Sequence, residues 1–483
     1  MNDFPSLRIT RSNLVAQGAF AESQAAFLEP DRASVERLDA ALRLGNVGVV
    51  AHFYMDPELQ GVLSACSWPH IHISDSLVMA DRAVTMAQAG AAAICVAGVD
   101  FMSENVRAVL DSAGFAHIPV FRLAASPIGC SLAQAAEAPA YSAFLEQATL
   151  TPQSLHVVYI NTSLRTKASA HAQVPTITCT SSNVVQTILA AAVALPQAHI
   201  WYGPDTYMGE NLCVLLDSFA AMPPAEFDLQ FPHISQSEVV RLRQRFHPFQ
   251  QGNCIVHHLF GSAVVEQVKA HYADALLAAH LEVPGEMFAL ANQAQLHGRG
   301  VVGSTSNILE FLAARTSAAT RDGSALVRCV LGTEAGMITA IVRRIQHILQ
   351  TEGSELAVEI IFPVAAEAIT ISGDALLPVV PGPQGGEGCS TAGGCATCPY
   401  MKMNSLDALV AVVDRVVASD WVELRRFAVQ LRAETLAGRS MVDLGAAPIL
   451  HMRAFQRSGH LPEALLDDVR NRFAPSPPIT MQN

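Results

Sequence analysis

Short apolar runs alternate with longer segments of helical period along most of the chain, beginning at residue 47. The first run, 47–51, is followed by a helical-period segment over 75–89 and a second apolar run over 91–99. The alternation continues through residues 155–160, 176–180, 184–194 and 199–202. This order of elements is typical of βαβ units and of parallel sheets whose strands are buried on both faces. We therefore predict an α/β fold.

The segments that lack this alternation of apolar runs and helical segments suggest the domain limits. Residues 1–40 are predicted to be an N-terminal helical extension, and the polar, proline-bearing stretch 222–250 an insertion or an excursion between domains. C-terminal helices and a loose tail are expected over 404–483. The repeating part then divides into αβα domains over 41–135, 136–255 and 256–403.

Polar residues that follow the apolar runs form a weak internal repeat. Ligands bind at the carboxyl ends of parallel strands, so these positions are the ones to compare. In each third of the chain, a strand with His or Tyr/Asn at its end precedes a strand followed by a hydroxyl, then a strand with glycine, then a cysteine. We predict three similar αβα domains whose strand ends meet at a central site. Their cysteines are Cys130, Cys254 and Cys398.

Composition and charge narrow the class of protein. Lys and Arg number 30 against 43 Asp and Glu, a net charge of −13, which argues against nucleic acid and anionic membranes as main partners. The mean hydropathy is positive, yet no run reaches the roughly 18 uninterrupted apolar residues of a membrane span. The first residues lack the basic and apolar parts of a secretory signal. A cytoplasmic location is therefore expected.

The ten cysteines are not expected to form a disulfide framework in a large chain of this kind. Three of them, Cys389, Cys395 and Cys398, share a glycine-rich loop that has little to pack against. They could hold zinc or an iron–sulfur cluster, or Cys395 and Cys398 could form a redox pair. Five others lie in or beside apolar runs, where a small buried hydrophobe is favoured: Cys66, Cys95, Cys179, Cys213 and Cys329.

One cysteine from each repeat would make a site with a definite chemistry. Three thiolates on a [4Fe-4S] cluster leave one iron without a protein ligand, and that iron is a Lewis acid. It can take a substrate hydroxyl or carboxylate and help to expel water, whereas a fourth cysteine would favour electron transfer. The count of three therefore points to dehydration chemistry.

A series of motifs, in order along the chain, resembles the quinolinate synthase family. The motifs are Ala51-His52-Phe53-Tyr54, Ser74-Asp75-Ser76-Leu77, Gly98-Val99-Asp100-Phe101, Tyr159-Ile160-Asn161-Thr162, Thr180-Ser181-Ser182-Asn183, Cys254-Ile255-Val256-His257, Gly303-Ser304-Thr305-Ser306 and Cys398-Pro399-Tyr400-Met401. The resemblance covers about residues 47–409. It implies three αβα domains in a pseudo-threefold arrangement around a central [4Fe-4S] cluster. It also implies an enzyme of NAD biosynthesis that condenses iminosuccinate with dihydroxyacetone phosphate, losing phosphate and two waters.

The resemblance also implies site residues at the strand ends that the repeat singles out. Cys130, Cys254 and Cys398 are the implied cluster ligands, and Tyr54, Glu282 and His280 are the candidate catalytic groups. The implied substrate contacts are His52, Ser76, Tyr159, Asn161, Ser181, His280, Glu282 and Thr305. Since no Arg/Lys cluster marks the pocket, we expect helix N-termini and hydroxyls to hold the anionic substrates. L-aspartate oxidase is the implied supplier of the imine.

The sequence departs from the family pattern beside two candidate residues. The family's usual His-Pro-Glu-Cys is His280-Leu281-Glu282-Val283 here. Two other functions stay open on the residues alone. One is another open-iron hydro-lyase acting on a hydroxy acid. The second is a non-enzymatic metal or redox sensor that uses Cys389, Cys395 and Cys398.

Overall fold

A computed structural model describes residues 4–363, 398–429, 434–436 and 438–472. Cys389, Cys395 and the tail predicted to be loose therefore lie outside the described residues. The chain divides into two compact units. Unit 1 comprises Met1–Ser131 and Asn253–Gln430, and unit 2 comprises Leu132–Gly252 and Leu431–Asn483.

The N-terminal segment of unit 1 starts with a strand pair. The helical prediction for residues 1–40 is wrong for its first part, because four-residue strands carry no helical signal and pair with a partner far along the chain. The buried side chains of Leu7 and Ile9 anchor the first of these strands. The elements are β1 (Ser6–Ile9), β2 (Leu14–Gln17), α1 (Ala19–Ala25) and α2 (Arg32–Gly45).

The first repeat follows as predicted, with strands of apolar residues separated by helices. Its second helix begins after Asp75, whose side chain accepts the N–H groups of Leu77 and Val78. The elements are β3 (Val47–His52), α3 (Pro57–Ala65), β4 (Ile71–Ser74), α4 (Ser76–Gln88), β5 (Ala93–Ala97), α5 (Asp100–Ser112) and β6 (Val120–Arg122).

Unit 2 holds the second repeat. The predicted excursion over 222–250 is two helices and the edge strand of this sheet. The elements are α6 (Ser131–Ala136), α7 (Pro139–Leu150), β7 (Ser154–Tyr159), α8 (Leu164–Gln173), β8 (Thr176–Cys179), α9 (Val184–Ala194), β9 (His199–Gly203), α10 (Thr206–Ala221), α11 (Pro224–Gln230), α12 (Gln236–Gln244) and β10 (Phe246–Pro248).

The third repeat belongs to unit 1. Its sheet is extended at one edge because β1 pairs antiparallel with its last strand, Ser6 lying opposite Ile361. The elements are a 3-10 turn (His257–Leu259), α13 (Ser262–His271), β11 (Leu276–His280), α14 (Gly285–Leu296), β12 (Gly300–Gly303), α15 (Thr305–Arg321), β13 (Leu326–Gly332), a 3-10 turn (Ala335–Met337), α16 (Ile338–Thr351) and β14 (Ala357–Ile361).

The C-terminal part contributes to both units. In unit 2, Gly445 allows close packing on α8, because a Cβ there would lie 2.5 Å from the carbonyl oxygen of Leu164. The elements are a 3-10 turn (Met401–Met403), α17 (Leu406–Val417), α18 (Trp421–Leu424), β15 (Thr435–Leu436), β16 (Arg439–Ser440), α19 (Met441–Ser458) and α20 (Glu463–Asn471).

The three repeats share one parallel topology. The strand orders are β4-β3-β5-β6, β8-β7-β9-β10 and β12-β11-β13-β14. In every case the second strand lies at one edge, followed by the first, the third and the fourth. The α/β fold with repeated αβα units is thus confirmed. The pseudo-threefold arrangement and the domain boundaries stay predictions.

The strand registers identify equivalent residues in the three repeats. His52, Tyr159 and His280 end the first strands, and they lie opposite Ser74, Cys179 and Gly303 at the ends of the second strands. Two residues further along, the first strands lead to Tyr54, Asn161 and Glu282, and the second strands lead to Ser76, Ser181 and Thr305. The predicted site residues therefore occupy matching positions at the carboxyl ends of the sheets.

Candidate active site

Two histidines in unit 1 hold the turns that follow their own strands. The Nδ1 atom of His52 accepts the N–H of Tyr54 at 3.2 Å, and Nδ1 of His280 accepts the N–H of Glu282 at 3.3 Å. A ring nitrogen that accepts a hydrogen bond carries no proton, so each neutral imidazole bears its proton on Nε2. Both histidines therefore keep one N–H donor for another partner.

Burial keeps these two imidazoles neutral. It lowers the pKa of His52 to about 3 and that of His280 to about 4, although the Glu282 carboxylate acts in the opposite direction on both. Both side chains are buried at the strand ends. Near neutral pH, His52 and His280 are hydrogen-bond donors rather than cations.

Glu282 is the centre of a buried cluster of titratable groups. Its Oε2 lies 3.0 Å from Nδ1 of His257, and its Oε1 lies 3.6 Å from Nδ1 of His280. The two imidazole rings stack with centroids 4.8 Å apart and planes within 5° of parallel. Glu282 itself is 3% exposed. A carboxylate held against an imidazole in this way can accept and return a proton.

The turn that carries Glu282 tolerates the departure from the family pattern. Leu281 stands where the family usually has proline, and its N–H donates to the carbonyl oxygen of Gly303 at 3.1 Å. Proline could not make that bond. Leu281 and Val283 are both buried. The substitutions thus keep His280 and Glu282 at the strand end.

Tyr54 connects the first repeat with the third inside unit 1. Its hydroxyl lies 3.3 Å from Oγ1 of Thr305 and 3.3 Å from Oγ1 of Thr333. Thr333 also lies 3.5 Å from Nε2 of His257. Burial raises the pKa of the Tyr54 hydroxyl above its usual range, so the group keeps its proton. A chain of polar contacts therefore runs from Tyr54 through Thr333 and His257 to Glu282.

Two helix N-termini converge on this region of unit 1. Ser76 is the first residue of α4 and Thr305 the first of α15. Ser306 donates from Oγ to Oδ2 of Asp75 at 3.5 Å, which ties the start of α15 to the start of α4. The positive ends of two helix dipoles and two hydroxyls thus lie together, an arrangement suited to an anion.

Unit 2 carries the other three predicted substrate contacts. Tyr159 ends β7 and is buried, and Asn161 follows two residues later. Ser181 follows β8, although α9 begins only three residues further on, at Val184. The buried amino group of Lys167 on α8 donates to the carbonyl oxygens of Ile160, at 3.0 Å, and of Thr162. This lysine fastens the turn that contains Asn161.

The three predicted metal ligands, Cys130, Cys254 and Cys398, all belong to unit 1 and are partly buried. Burial raises the pKa of the Cys254 thiol well above its usual value, and the charges of Cys398 and Cys130 act in the same direction. Burial likewise raises the pKa of Cys398 to about 12, with Cys130 contributing. The three thiols therefore interact electrostatically, and bound metal would favour the ionised forms of Cys254 and Cys398.

A group with ligand atoms close enough for one metal ion also includes Cys254. Its Sγ, a ring nitrogen of His257 and a carboxylate oxygen of Glu282 lie within 4.8 Å of one another. His257 and Glu282 therefore belong both to this group and to the buried cluster of titratable residues, and Cys254 lies next to them.

Three buried residues of this region are absent from the predicted set. His257 stands three positions after Cys254, a spacing common among metal ligands. Thr333 and Glu334 follow β13, and the strand-end rule already pointed to that position. Glu334 accepts the N–H of Cys398 at Oε1, 3.0 Å away. Long-range contacts such as this one leave no local trace in a sequence.

Together, the fold and the site define an α/β enzyme with an acid–base cluster beside cysteine thiols. The family profile described as NadA, quinolinate synthetase A protein, matches residues 35–436. The chain belongs to this family. The matched region ends before α19, which packs on α8.

Curated relatives agree with the family assignment. A protein named quinolinate synthase, chloroplastic, from Arabidopsis thaliana is 52% identical over 480 residues, covering 96% of this chain and 67% of the relative. A protein of the same name from Oryza sativa subsp. japonica is 48% identical over 96% of this chain and 69% of its own length. The quinolinate synthase of Thermosynechococcus vestitus is 26% identical over 75% of this chain and 82% of its own.

Within the described parts of the chain, none of the helices combines the length and the apolar character needed to cross a bilayer.

Proposed function

We propose that the protein condenses iminosuccinate with dihydroxyacetone phosphate to quinolinate, with loss of phosphate and two waters. The observation that carries the proposal is the buried cluster of Tyr54, His257, His280 and Glu282 in unit 1, in a chain of the quinolinate synthase family. The reaction needs a group that removes protons from carbon and groups that protonate departing oxygens. Such a cluster can supply both.

The proposed cofactor is a [4Fe-4S] cluster held by Cys130, Cys254 and Cys398. The donor set fits, because three mutually interacting thiols are the ligands that iron–sulfur clusters use. A single tetrahedral ion would need thiolate sulfurs about 3.8 Å apart. Among the described residues, the tight group at Cys254 includes a histidine and a glutamate instead of the other two cysteines. When bound, the cluster would supply a Lewis acid for the loss of water.

Anionic parts of the substrates would be held without an arginine cluster. The starts of α4 and α15, with Ser76 and Thr305, offer hydroxyls and backbone N–H groups. We assign Tyr159, Asn161 and Ser181 of unit 2 to the same task, because they occupy the equivalent strand ends. Neutral His52 and His280 would each donate from Nε2 to a substrate oxygen.

Proton transfer is assigned to Glu282 and Tyr54. Glu282 would accept the proton released when the carbon–carbon bond forms, and His257 would hold the carboxylate in place. Tyr54 keeps its proton at neutral pH and would donate from its hydroxyl to a departing oxygen. Thr305 and Thr333 orient that hydroxyl.

The biological setting follows from the substrates. Iminosuccinate is unstable in water, so an L-aspartate oxidase is the proposed source of the imine, and NAD biosynthesis is the proposed use of the product. We propose small molecules as partners, and neither nucleic acid nor membranes. The cytoplasmic location expected from the sequence stays a prediction, since the plant relatives are named as chloroplastic.

The test is a reconstitution under anaerobic conditions. Protein purified without oxygen is expected to contain four irons and four sulfides per chain, and to form quinolinate from oxaloacetate, ammonia and dihydroxyacetone phosphate. Cys130→Ala and Cys254→Ala should each lose the cluster. Failure of the intact, iron-loaded protein to form quinolinate would overturn the proposal.

Family membership favours this activity over the two alternatives. An open-iron hydro-lyase for hydroxy acids would not need the Tyr159-x-Asn161 element. The sensor hypothesis rests on Cys389 and Cys395, which lie outside the described residues. An activity assay with hydroxy acids separates the first alternative from the synthase.

A further inference from the structure

The helix or turn that follows the third strand of each repeat contacts either the cysteine itself or a residue two positions before it. The strand registers identify equivalent positions in the three repeats. On the third strands, Ala97, Gly203 and Gly332 lie opposite the next-to-last residues of the first strands, which are Ala51, Val158 and Ala279. Three positions later stand Asp100, Thr206 and Ala335. The residues at this one structural position can therefore be compared among the three repeats.

In the first repeat, Asp100 and Ile128 form a reciprocal pair of hydrogen bonds. The backbone N–H of Asp100 donates to the carbonyl oxygen of Ile128 at 2.9 Å, and the N–H of Ile128 donates to Oδ2 of Asp100 at 3.1 Å. Ile128 precedes Cys130 by two residues. The other carboxylate oxygen of Asp100 accepts from the buried Arg122 at 2.9 Å. The carboxylate is thus fixed on both sides.

In the second repeat, Thr206 and Gly252 form the same pair with a different side chain. The N–H of Thr206 donates to the carbonyl oxygen of Gly252 at 2.7 Å, and the N–H of Gly252 donates to Oγ1 of Thr206 at 2.9 Å. Gly252 precedes Cys254 by two residues. Glycine is required there, since a Cβ would lie 2.1 Å from the carbonyl oxygen of Pro204.

In the third repeat, the equivalent position is Ala335, whose side chain cannot accept a hydrogen bond. The preceding residue, Glu334, takes over this role. Its Oε1 accepts the N–H of Cys398 at 3.0 Å, and its Oε2 accepts the N–H of Gly336 at 3.1 Å. The longer side chain therefore reaches the cysteine itself.

We propose that Asp100, Thr206 and Glu334 are positioning residues that hold the backbone at or near Cys130, Cys254 and Cys398 in the geometry needed for a shared iron–sulfur cluster. Two side chains at equivalent positions and one at the preceding position each accept a backbone N–H of a cysteine or of the residue two positions before it, a recurrence that incidental packing does not explain. This inference rests on the proposed function in that Cys130, Cys254 and Cys398 are taken to bind the cluster. None of the three positioning residues touches the substrate in this scheme.

The central test uses Thr206, because Thr206→Val removes the hydroxyl and keeps the shape. Thr206→Ser keeps the hydroxyl and should behave as the wild type. Thr187→Val is the matched control, since the Thr187 hydroxyl is also buried in unit 2 but donates only to the carbonyl oxygen of Asn183 in its own helix. Glu334→Gln, which replaces one acceptor oxygen by a donor, tests the third repeat.

The readout is the rate at which the anaerobic, iron-loaded protein loses iron to excess EDTA, with thermal unfolding measured alongside. Losing one buried hydrogen bond corresponds to roughly a five- to tenfold faster loss of iron for Thr206→Val and for Glu334→Gln. Thr206→Ser and Thr187→Val should match the wild type. The double variant Thr206→Val/Glu334→Gln should be faster than either single one.

Two results would overturn the inference. One is a Thr206→Val protein that loses iron no faster than Thr187→Val, and the other is a Thr206→Ser protein that loses it as fast as Thr206→Val. Either result in a four-iron wild type leaves the proposed function intact and refutes only the positioning role. A wild type that binds no iron would instead refute the proposed function, and this inference with it.

Discussion

Unit 1 and unit 2 use one strand-end design for different chemistry. In unit 1 the first strands lead into His52-x-Tyr54 and His280-x-Glu282, so titratable groups occupy both positions. In unit 2 the equivalent residues are Tyr159 and Asn161, and the second of these, an amide, does not titrate. Topology thus sets where these residues stand, whereas the residue types would divide proton transfer from substrate binding in the function proposed above.

The two units also hold these turns by different means. In unit 1, Nδ1 of His52 accepts the N–H of Tyr54, and Nδ1 of His280 accepts the N–H of Glu282. Tyr159 has no ring nitrogen, and Lys167 instead donates to the carbonyl oxygens on either side of Asn161. Substitutions at Glu282, Lys167, His156 and Tyr54 would separate the contributions of the two units, with the largest effect expected at Glu282.

Glu282→Gln should abolish most of the activity. It removes the carboxylate that accepts protons but keeps the size and one acceptor oxygen, so kcat should fall about 10²- to 10⁴-fold with KM little changed. The assay is quinolinate formation by the iron-loaded enzyme. Glu286→Gln is the control, because Glu286 lies exposed at the start of α14 and bonds only to the Ser262 hydroxyl among the contacts described.

Asn161→Ala should mainly raise KM, and a loss of kcat equal to that of Glu282→Gln would contradict the division between the units.

Lys167→Met should destabilise unit 2 and weaken substrate binding together. The carbonyl oxygen of Thr162 would lose the Lys167 donor, whereas that of Ile160 keeps the N–H of Thr162, so the free energy of unfolding should fall by roughly 1–3 kcal/mol. We expect KM to rise about tenfold because the Asn161 turn is released. Urea unfolding and steady-state kinetics measure the two effects. Lys269→Met is the control, with its side chain 53% exposed and paired to Glu266. An unchanged KM in the folded variant would show that Lys167 only stabilises the fold.

Several of these features could be predicted from the sequence, and others could not. Repetition of apolar runs and polar strand ends predicts the topology, because a strand buried on both faces has a recognisable composition. It also places His52, Tyr159 and His280 at matching positions, as the registers show. Lys167 could not be found this way, since a lysine in a helical segment looks like a surface residue until the fold buries it.

Contacts between distant parts of the chain account for the rest. The hairpin of β1 and β2 exists because Ser6–Ile9 can extend the edge of β14, some 350 residues away in sequence. His257 reaches Glu282 only after the third repeat has folded. The bond from Cys398 to Glu334 spans 64 positions. Such pairings depend on tertiary structure and give no periodic signal.

Acid should destabilise both units, since each contains buried neutral histidines. In unit 2, burial lowers the pKa of His156 to about 3, and the Tyr141 hydroxyl lies 2.9 Å from its Nε2. The unfolded chain takes up a proton at a pKa near 6.5, whereas the folded chain does not, so stability falls as the pH drops below 6.5. Between pH 6.5 and 4.5 this histidine should account for roughly 2–3 kcal/mol of lost stability.

His156→Gln tests this contribution. Between pH 6.5 and 4.5, the free energy of unfolding of this variant should fall by roughly 2–3 kcal/mol less than that of the wild type. Urea titrations at pH 6.5 and 4.5, followed by circular dichroism, measure the slope. His460→Gln, at an exposed position, serves as the control. A variant whose stability falls as steeply as the wild type would assign the acid sensitivity to other groups.

Tyr54→Phe gives the finest test of the comparison, because Tyr159→Phe makes the same change in unit 2. The Tyr54 hydroxyl contacts Thr305 and Thr333 at 3.3 Å each and keeps its proton. If it donates to a departing oxygen, kcat should fall about 10- to 100-fold with KM nearly constant. Tyr159→Phe should raise KM and leave kcat within about threefold. The reverse assignment, with KM affected at Tyr54 and kcat at Tyr159, would place proton transfer at the unit 2 strand end and refute the proposed roles.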